Sequence, residues 1–221
     1  METLDAIRAR KSVRAYLDKD VPNDVIRQLV SLAACAPSGA NSQPWQVSIL
    51  RGRTKQELEQ RMTEQFEAGI EANQDYDYYP TKWFDPYQTR RVNCGHQLYS
   101  ALSVERGDRE RRRQQWIANY GGFGAPIVMI FTLHKDLAIG SYMDTAMFIQ
   151  TLMLAAVDMG LATCPEAALA SYPDIMRDLL GLGEEEVVLC GLALGYEDSS
   201  APVNQYRTPR ESPDNFTRWY S

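Results

Sequence analysis

The clearest periodic stretch runs from Asn23 to Ala36, where Val25, Ile26, Leu29, Val30 and Ala33 recur at helical spacing behind Pro22. Proline suits a first helical turn, so the pattern predicts an amphipathic helix with one face on a core. Trp45 to Leu50 alternates and predicts a half-buried strand. Ile127 to Leu133 is an unbroken apolar run, a buried strand, and Val187 to Leu194 is a third. Thr54 to Ile70, Gln88 to Val104, Asp108 to Ile117 and Tyr172 to Leu180 predict further helices, with breaks at Arg51-Gly52-Arg53, Gly107 and Gly181. Ser141 to Met159 is the most apolar element and, being apolar on nearly every side, should be covered by protein all round. Asp144, Gln150 and Asp158 interrupt it, and no uncharged run reaches the ~20 residues of a membrane span. Gly160 is placed to stop it.

Two stretches lack a period. Glu71 to Pro86 carries Tyr76, Tyr78, Tyr79, Trp83 and Phe84, with Tyr87 just beyond. Aromatics in such a loop either roof a core or line the entrance of a site for flat molecules. From Asp198 the tail is proline-rich, holds Arg207 and Arg210, and ends with Phe216, Trp219 and Tyr220. Three late aromatics predict that it docks on something. No repeat or linker divides the 221 residues, so one domain is expected. A net charge of −6 excludes a general nucleic-acid binder, and the charge run Asp108-Arg109-Glu110-Arg111-Arg112-Arg113 reads as a solvated helix face. Cys35, Cys94, Cys164 and Cys190 are scattered beside only two histidines, which predicts neither a zinc site nor disulfides. The start of the chain lacks an apolar signal segment, and a cytoplasmic protein is expected.

The chemistry concentrates in two motifs. Arg10-Lys11-Ser12-Val13-Arg14 puts three cations and a hydroxyl within five residues, a composition suited to a phosphate or other anion. Pro37-Ser38-Gly39-Ala40-Asn41-Ser42-Gln43-Pro44-Trp45 joins the first helix to the first strand. Its prolines exclude helix continuation, and Gly39 permits a positive φ or a close backbone approach. A third segment, Asn119 to Pro126, is glycine-rich but precedes a strand, so it is no dinucleotide fingerprint. No GxSxG or paired Ser/His/Asp is present to carry nucleophilic catalysis.

In this order the two motifs resemble those of the flavin-dependent nitroreductase family, and Leu161 to Ala168 resembles its G-L-x-x-x-P-x-x-[GA] segment. Lys11 stands where Arg or His is common, and Ala168 where some members have Gly. The Tyr-rich insert and the Asn-x5-Ala-Pro lead into the second strand look most like members acting on nitrobenzoates and dinitroanilines. The resemblance implies an α+β fold, a three-layer sandwich with a mixed, mainly antiparallel sheet flanked by helices. It also implies a homodimer that exchanges its C-terminal tail.

The implied cofactor is FMN, with NADPH or NADH as reductant and no metal. Arg10, Lys11, Ser12, Arg14, Arg207 and Arg210 would hold the phosphate and ribityl chain, with Arg14 near the N1 edge of the ring. Pro37, Ser38, Gly39 and Asn41 would lie on the ring from the second subunit, and Asn119 near the flavin. Pro165, Glu166, Ala167 and Ala168 would turn backbone N–H groups toward N5. Phe84, Tyr87, Trp116 and Phe123 are the expected substrate rim. The implied reaction is ping-pong hydride transfer through N5, reducing a nitroaromatic to nitroso and then hydroxylamine. A flavin reductase, a reductive dehalogenase, an FMN-fragmenting enzyme and a non-catalytic flavin-binding dimer share the same signature.

Overall fold

The computed structural model describes residues 2–221. Its sheet has four strands in the order β1 (Gln46–Arg51), β2 (Ile127–His134), β4 (Glu186–Gly195) and β3 (Ala162–Glu166). All three pairings are antiparallel, and the parallel component reduces to an isolated bridge between Ser12 and Thr163. β3 is the strand that periodicity does not show. It is short, and Pro165 within it argues against a strand, but at a sheet edge a missing N–H costs no ladder bond.

Alternation along β2 and β4 sends side chains to two cores. On one face, Ile127, Met129, Phe131, Leu192 and Leu194 meet α2 (Asn23–Ala33) and α6 (Ile139–Asp158). On the other, Val128, Ile130 and Val188 meet α3 (Gly52–Glu67) and α7 (Pro173–Leu180). The result is the three-layer α+β sandwich. α2 buries Ile26, Leu29 and Ala33, the stripe its period marks. α3 starts earlier than the composition indicates, because Arg51-Gly52-Arg53 enters the helix directly, with Gly52 at φ 54°.

Within one chain, α6 has a covered face and a bare one. It buries Asp144, Thr145, Phe148, Ile149, Leu152, Met153 and Ala156 on one face, while Ile139 (73% exposed) and Met143 (62%) stay bare on the other. α1 (Thr3–Ala9) lies across α6 and leads into the first basic motif. The remaining helices, α4 (Tyr87–Ala101) and α5 (Arg109–Ile117), bury no residue. Asp108 caps α5 by accepting from Arg111 N–H at 3.0 Å. The aromatic loop before α4 is pinned by Asp75, which accepts from Arg177 and from Val188 N–H, each at 2.8 Å. Among the described residues no helix is long and apolar enough to cross a membrane.

Candidate functional site

The two ends of the chain meet. Asn204 is buried; its Oδ1 accepts from Arg14 N–H at 2.8 Å, and its Nδ2 donates to Ala15 and Asp198 carbonyls at 2.9 Å each. Arg207 donates to the carbonyls of Arg8 (2.6 Å) and Ala9 at the C-terminal end of α1, where a cation complements the exposed carbonyls. These ties form a cavity of about 590 Å³ that holds Arg10, Lys11, Ser12, Arg14, Arg207 and Arg210.

Within it Lys11 is already paired, to Glu197 at 2.7 Å and to the Asn204 carbonyl at 2.6 Å. It fastens the cavity wall. Arg10, Arg14, Arg207 and Arg210 have no carboxylate partner among the described residues. Arg210 turns back on Thr208 Oγ1 (2.8 Å) and its neighbours' carbonyls. Burial, then the Arg210 and Arg207 guanidiniums, pull the Arg10 pKa below its ordinary value. Like charges gathered without counter-charge cost free energy, which an anion would return. A phosphate with oxygens for several forked donors fits this set. Sequence reasoning missed Tyr206, Thr208 and Gln150, which also line the cavity. Gln150 had a signal, since it interrupts an apolar helix; Asn204 had none.

The other expected cofactor residues lie elsewhere in this chain. Pro37 to Trp45 forms a mostly exposed loop outside the cavity. Ser38 Oγ accepts from Gln43 N–H at 3.0 Å, and Gly39 N–H donates to Asp144 at 3.2 Å. Positive φ falls not on Gly39 but on Ala40 (51°), Asn41 (57°) and Gln43 (47°), a conformation that strains Ala40 and Gln43. Trp45 stacks on Phe148 with ring centroids 4.8 Å apart and fixes the loop's exit. Asn119 donates to the Gln115 and Trp116 carbonyls at 3.2 and 2.8 Å, closing the end of α5.

Pro165 and Glu166 end edge strand β3, and Ala167 and Ala168 begin the 3-10 turn after it. Glu166 pairs in register with Gly191, and Gly191 with Ile130, so its side chain enters the α3/α7 side of the sheet. There both carboxyl oxygens are buried without a hydrogen-bond partner among the described residues. Burial holds the Glu166 pKa well above the usual carboxylate range, against the pull of Arg14 and Lys55. The same desolvation, then Glu166, pushes the Cys164 thiol up to about 12. Burial thus favours the neutral form of both groups beside the basic cavity.

The expected rim divides. Phe123 lies 5.8 Å from the Arg14 guanidinium, so it joins the basic motif. Phe84 and Tyr87 form an exposed edge-to-face pair at 5.2 Å, and Trp116 donates to Tyr120 Oη at 3.2 Å. Tyr76, earlier in the same aromatic stretch, donates to the Leu189 carbonyl at 2.7 Å and packs on Tyr142. That part roofs the core. No group of three or more His, Cys, Asp or Glu among the described residues could hold a metal.

A three-layer α+β fold with an unbalanced guanidinium cavity at the junction of its two termini describes an anion-binding, cofactor-type protein. The "Nitroreductase family" profile matches residues 7–196, and the chain belongs to that family. It is 35% identical to the 4-nitrobenzoate reductase of Nocardioides sp. (strain LMS-CY), over 97% of this chain and 88% of that one. It is 33% identical to the 4-nitrobenzoate reductase of Pseudomonas putida, over 99% and 96%. Among solved structures it resembles the FMN and NADPH-dependent nitroreductase NfnB of Sphigopyxis sp. strain HMH, with TM-score 0.97, 34% identity and complete coverage of both chains. The FMN-dependent NfnB of Mycobacterium smegmatis, solved in complex with NADPH, matches with TM-score 0.94, 30% identity and coverage of 99% and 98%.

Proposed function

We propose that residues 1–221 act as one FMN-binding domain of a homodimeric NAD(P)H-dependent reductase that converts aromatic nitro groups to nitroso and hydroxylamine products. One observation carries this reading: four guanidiniums without carboxylate partners, drawn from both ends of the chain into one cavity. Arg10, Arg14, Arg207 and Arg210, with the hydroxyls of Ser12 and Thr208, would hold the FMN phosphate through charge-assisted contacts. When bound, FMN supplies hydride transfer between a nicotinamide and the nitro group. The chain's own residues bind and orient. Asn204 fixes the Arg14 backbone, Lys11 holds the wall closed, and burial favours the neutral form of Glu166. The names of the relatives, nitrobenzoate reductases and an NADPH-bound nitroreductase, support the substrate and reductant.

A second copy completes the site. The bare face of α6 and the tail aromatics Phe216, Trp219 (89% exposed) and Tyr220 leave apolar surface that a partner would cover. The Pro37–Trp45 loop, strained and outside its own chain's cavity, would serve the neighbouring site, and the tail would wrap the neighbouring subunit. A cytoplasmic setting suits a reductant drawn from the NAD(P)H pool and the exposed thiols of Cys35 and Cys94.

The deciding experiment is anaerobic. The purified yellow protein, mixed with NADPH or NADH, should lose its flavin absorbance and regain it when 4-nitrobenzoate is added, with the hydroxylamine recovered by chromatography. Colourless protein, or flavin that neither nucleotide bleaches, would sink the reading. Sedimentation of full-length protein and of a chain ending at Asp198 tests the dimer. A flavin-loaded full-length monomer, or a truncated chain that dimerises and holds flavin as the full chain does, would exclude the exchanged tail.

A further inference from the structure

The basic cavity has two neighbours around α4. Tyr206, in its wall, also lines a smaller cavity of about 460 Å³ with His96, Gln97 and Ser100. His96 and Ser100 in turn line a third, about 580 Å³, between α4 and α5. The three spaces therefore lie around α4, with Cys94 on the basic-cavity side and Arg91, Gly95 and Tyr99 on the side toward α5. The far one is lined by Arg91, Arg106 and Arg112, with His96 and Tyr99. None of these three arginines has a carboxylate partner among the described residues, although the chain has 29 acidic residues against 23 basic ones. Arg112 lies 4.3 Å from the Tyr99 ring and donates to the Arg106 carbonyl at 3.3 Å. Arg91 lies 5.2 Å from the Trp83 ring. A guanidinium over an aromatic face keeps its N–H edge free for an oxyanion. Gly95, also in the far wall, has open space where a Cβ would stand.

We infer that this α4–α5 cavity is a second anion site, which holds the anionic end of a reactant. The inference rests on the proposed flavin reading for its link to catalysis, though the anion site itself stands on the geometry of the arm. The ligand chemistry is a carboxylate or phosphate oxyanion on an aromatic or nucleotide frame. Two reactants carry one: an aromatic nitro acid, through its carboxylate, and NADPH, through its 2′-phosphate. The charge run on α5 thus acquires a purpose for Arg112, while Arg109 remains outside the cavity.

The experiment compares Arg106→Ala/Arg112→Ala with wild type, using Arg109→Ala as the surface-charge control and Arg112→Lys as a variant that retains charge. Flavin-loaded protein is titrated with adenosine 2′-phosphate, adenosine, benzoate and benzyl alcohol, following tryptophan fluorescence. Flavin reduction by NADPH and NADH, and reoxidation by 4-nitrobenzoate and nitrobenzene, are then timed separately. The double variant should lose about tenfold or more for one anionic partner of a pair and keep the uncharged partner, because charge-assisted contacts are removed. A loss confined to adenosine 2′-phosphate and NADPH assigns the nucleotide phosphate. A loss confined to benzoate and 4-nitrobenzoate assigns the carboxylate. Arg112→Lys should fall between. Equal losses for charged and uncharged partners, or a double variant indistinguishable from Arg109→Ala in every titration, would overturn the site. If wild-type flavin is never bleached but the titrations still separate, the proposed function fails and the anion site stands.

Discussion

The body of the molecule and its α4–α5 arm are built from helices of similar length but opposite habit. α2, α3, α6 and α7 each lay a stripe of buried residues on the sheet, whereas α4 and α5 bury none. In the body a position is explained by what it packs against. In the arm, Arg112 lies against Tyr99 and Arg91 against Trp83, contacts outside the core that do not account for their identities. Residues released from packing are available to a ligand or a second subunit. The termini take a middle course, with a hydrogen-bonded frame around Asn204 and a set of cations left unpaired inside it.

The largest effect should come from that frame. Replacing Arg10 and Arg210 by Ala removes two charge-assisted contacts at about 1.5–3 kcal/mol each, so flavin should dissociate on gel filtration. Stability should change little, since neither guanidinium bonds across the frame. Full flavin content in the purified double variant would reassign the phosphate ligands.

Next comes the body against the arm. Leu152, fully buried between α6 and the sheet, should cost about 2–5 kcal/mol as Leu152→Ala. Val92 on α4 is exposed, and Val92→Ala should stay within about 0.5 kcal/mol in the isolated chain. Urea unfolding of both variants measures this. A costly Val92→Ala would show that the arm is packed in solution, and its dependence on protein concentration would identify a second subunit as the cover.

Glu166 sharpens the comparison by pH. Unfolded, its carboxyl ionises in the ordinary range; folded, it keeps its proton far above it. Its contribution to stability is therefore complete below the ordinary range and is lost as pH rises toward the folded pKa. Glu166→Gln is neutral throughout, so its stability relative to wild type should climb by about 1.4 kcal/mol per pH unit across that window. Unfolding midpoints from about pH 4 to about pH 9 test this. A constant difference would mean that the carboxylate is paired and charged.

Much of the body is legible in the sequence, because burial on one face writes a period. The α2 stripe, the apolar β2 run and the stop at Gly160 lie where their patterns place them. What is not legible depends on partners remote in the chain. The Lys11–Glu197 pair gives an expected phosphate ligand a partner remote in the chain, and nothing near Lys11 announces it. β3 needs β4 beside it to be a strand at all. The positive φ at Ala40 and Gln43 contradicts local preference, which favours glycine or asparagine there. Such contradictions are expected where a backbone is shaped for a partner and not for itself.

The smallest expected effect concerns the exposed pair Phe84 and Tyr87 at the root of α4. Tyr76, in the same stretch, is committed to the core through Leu189 and Tyr142, so the stretch divides between roof and rim. An aromatic wall contributes about 0.5–1.5 kcal/mol to a flat ligand through offset or edge contact. Tyr87→Ala and Phe84→Ala should therefore slow flavin reoxidation by nitroaromatics by up to about tenfold while sparing reduction by NAD(P)H. Stability should hold in both, because neither ring is buried in the chain. Tyr76→Phe should do the reverse, losing the bond to Leu189 and some stability while leaving both half-reactions intact. Stopped-flow absorbance separates the two half-reactions. Unchanged reoxidation across several nitroaromatics in both rim variants would show that the arm's aromatics serve only its own structure.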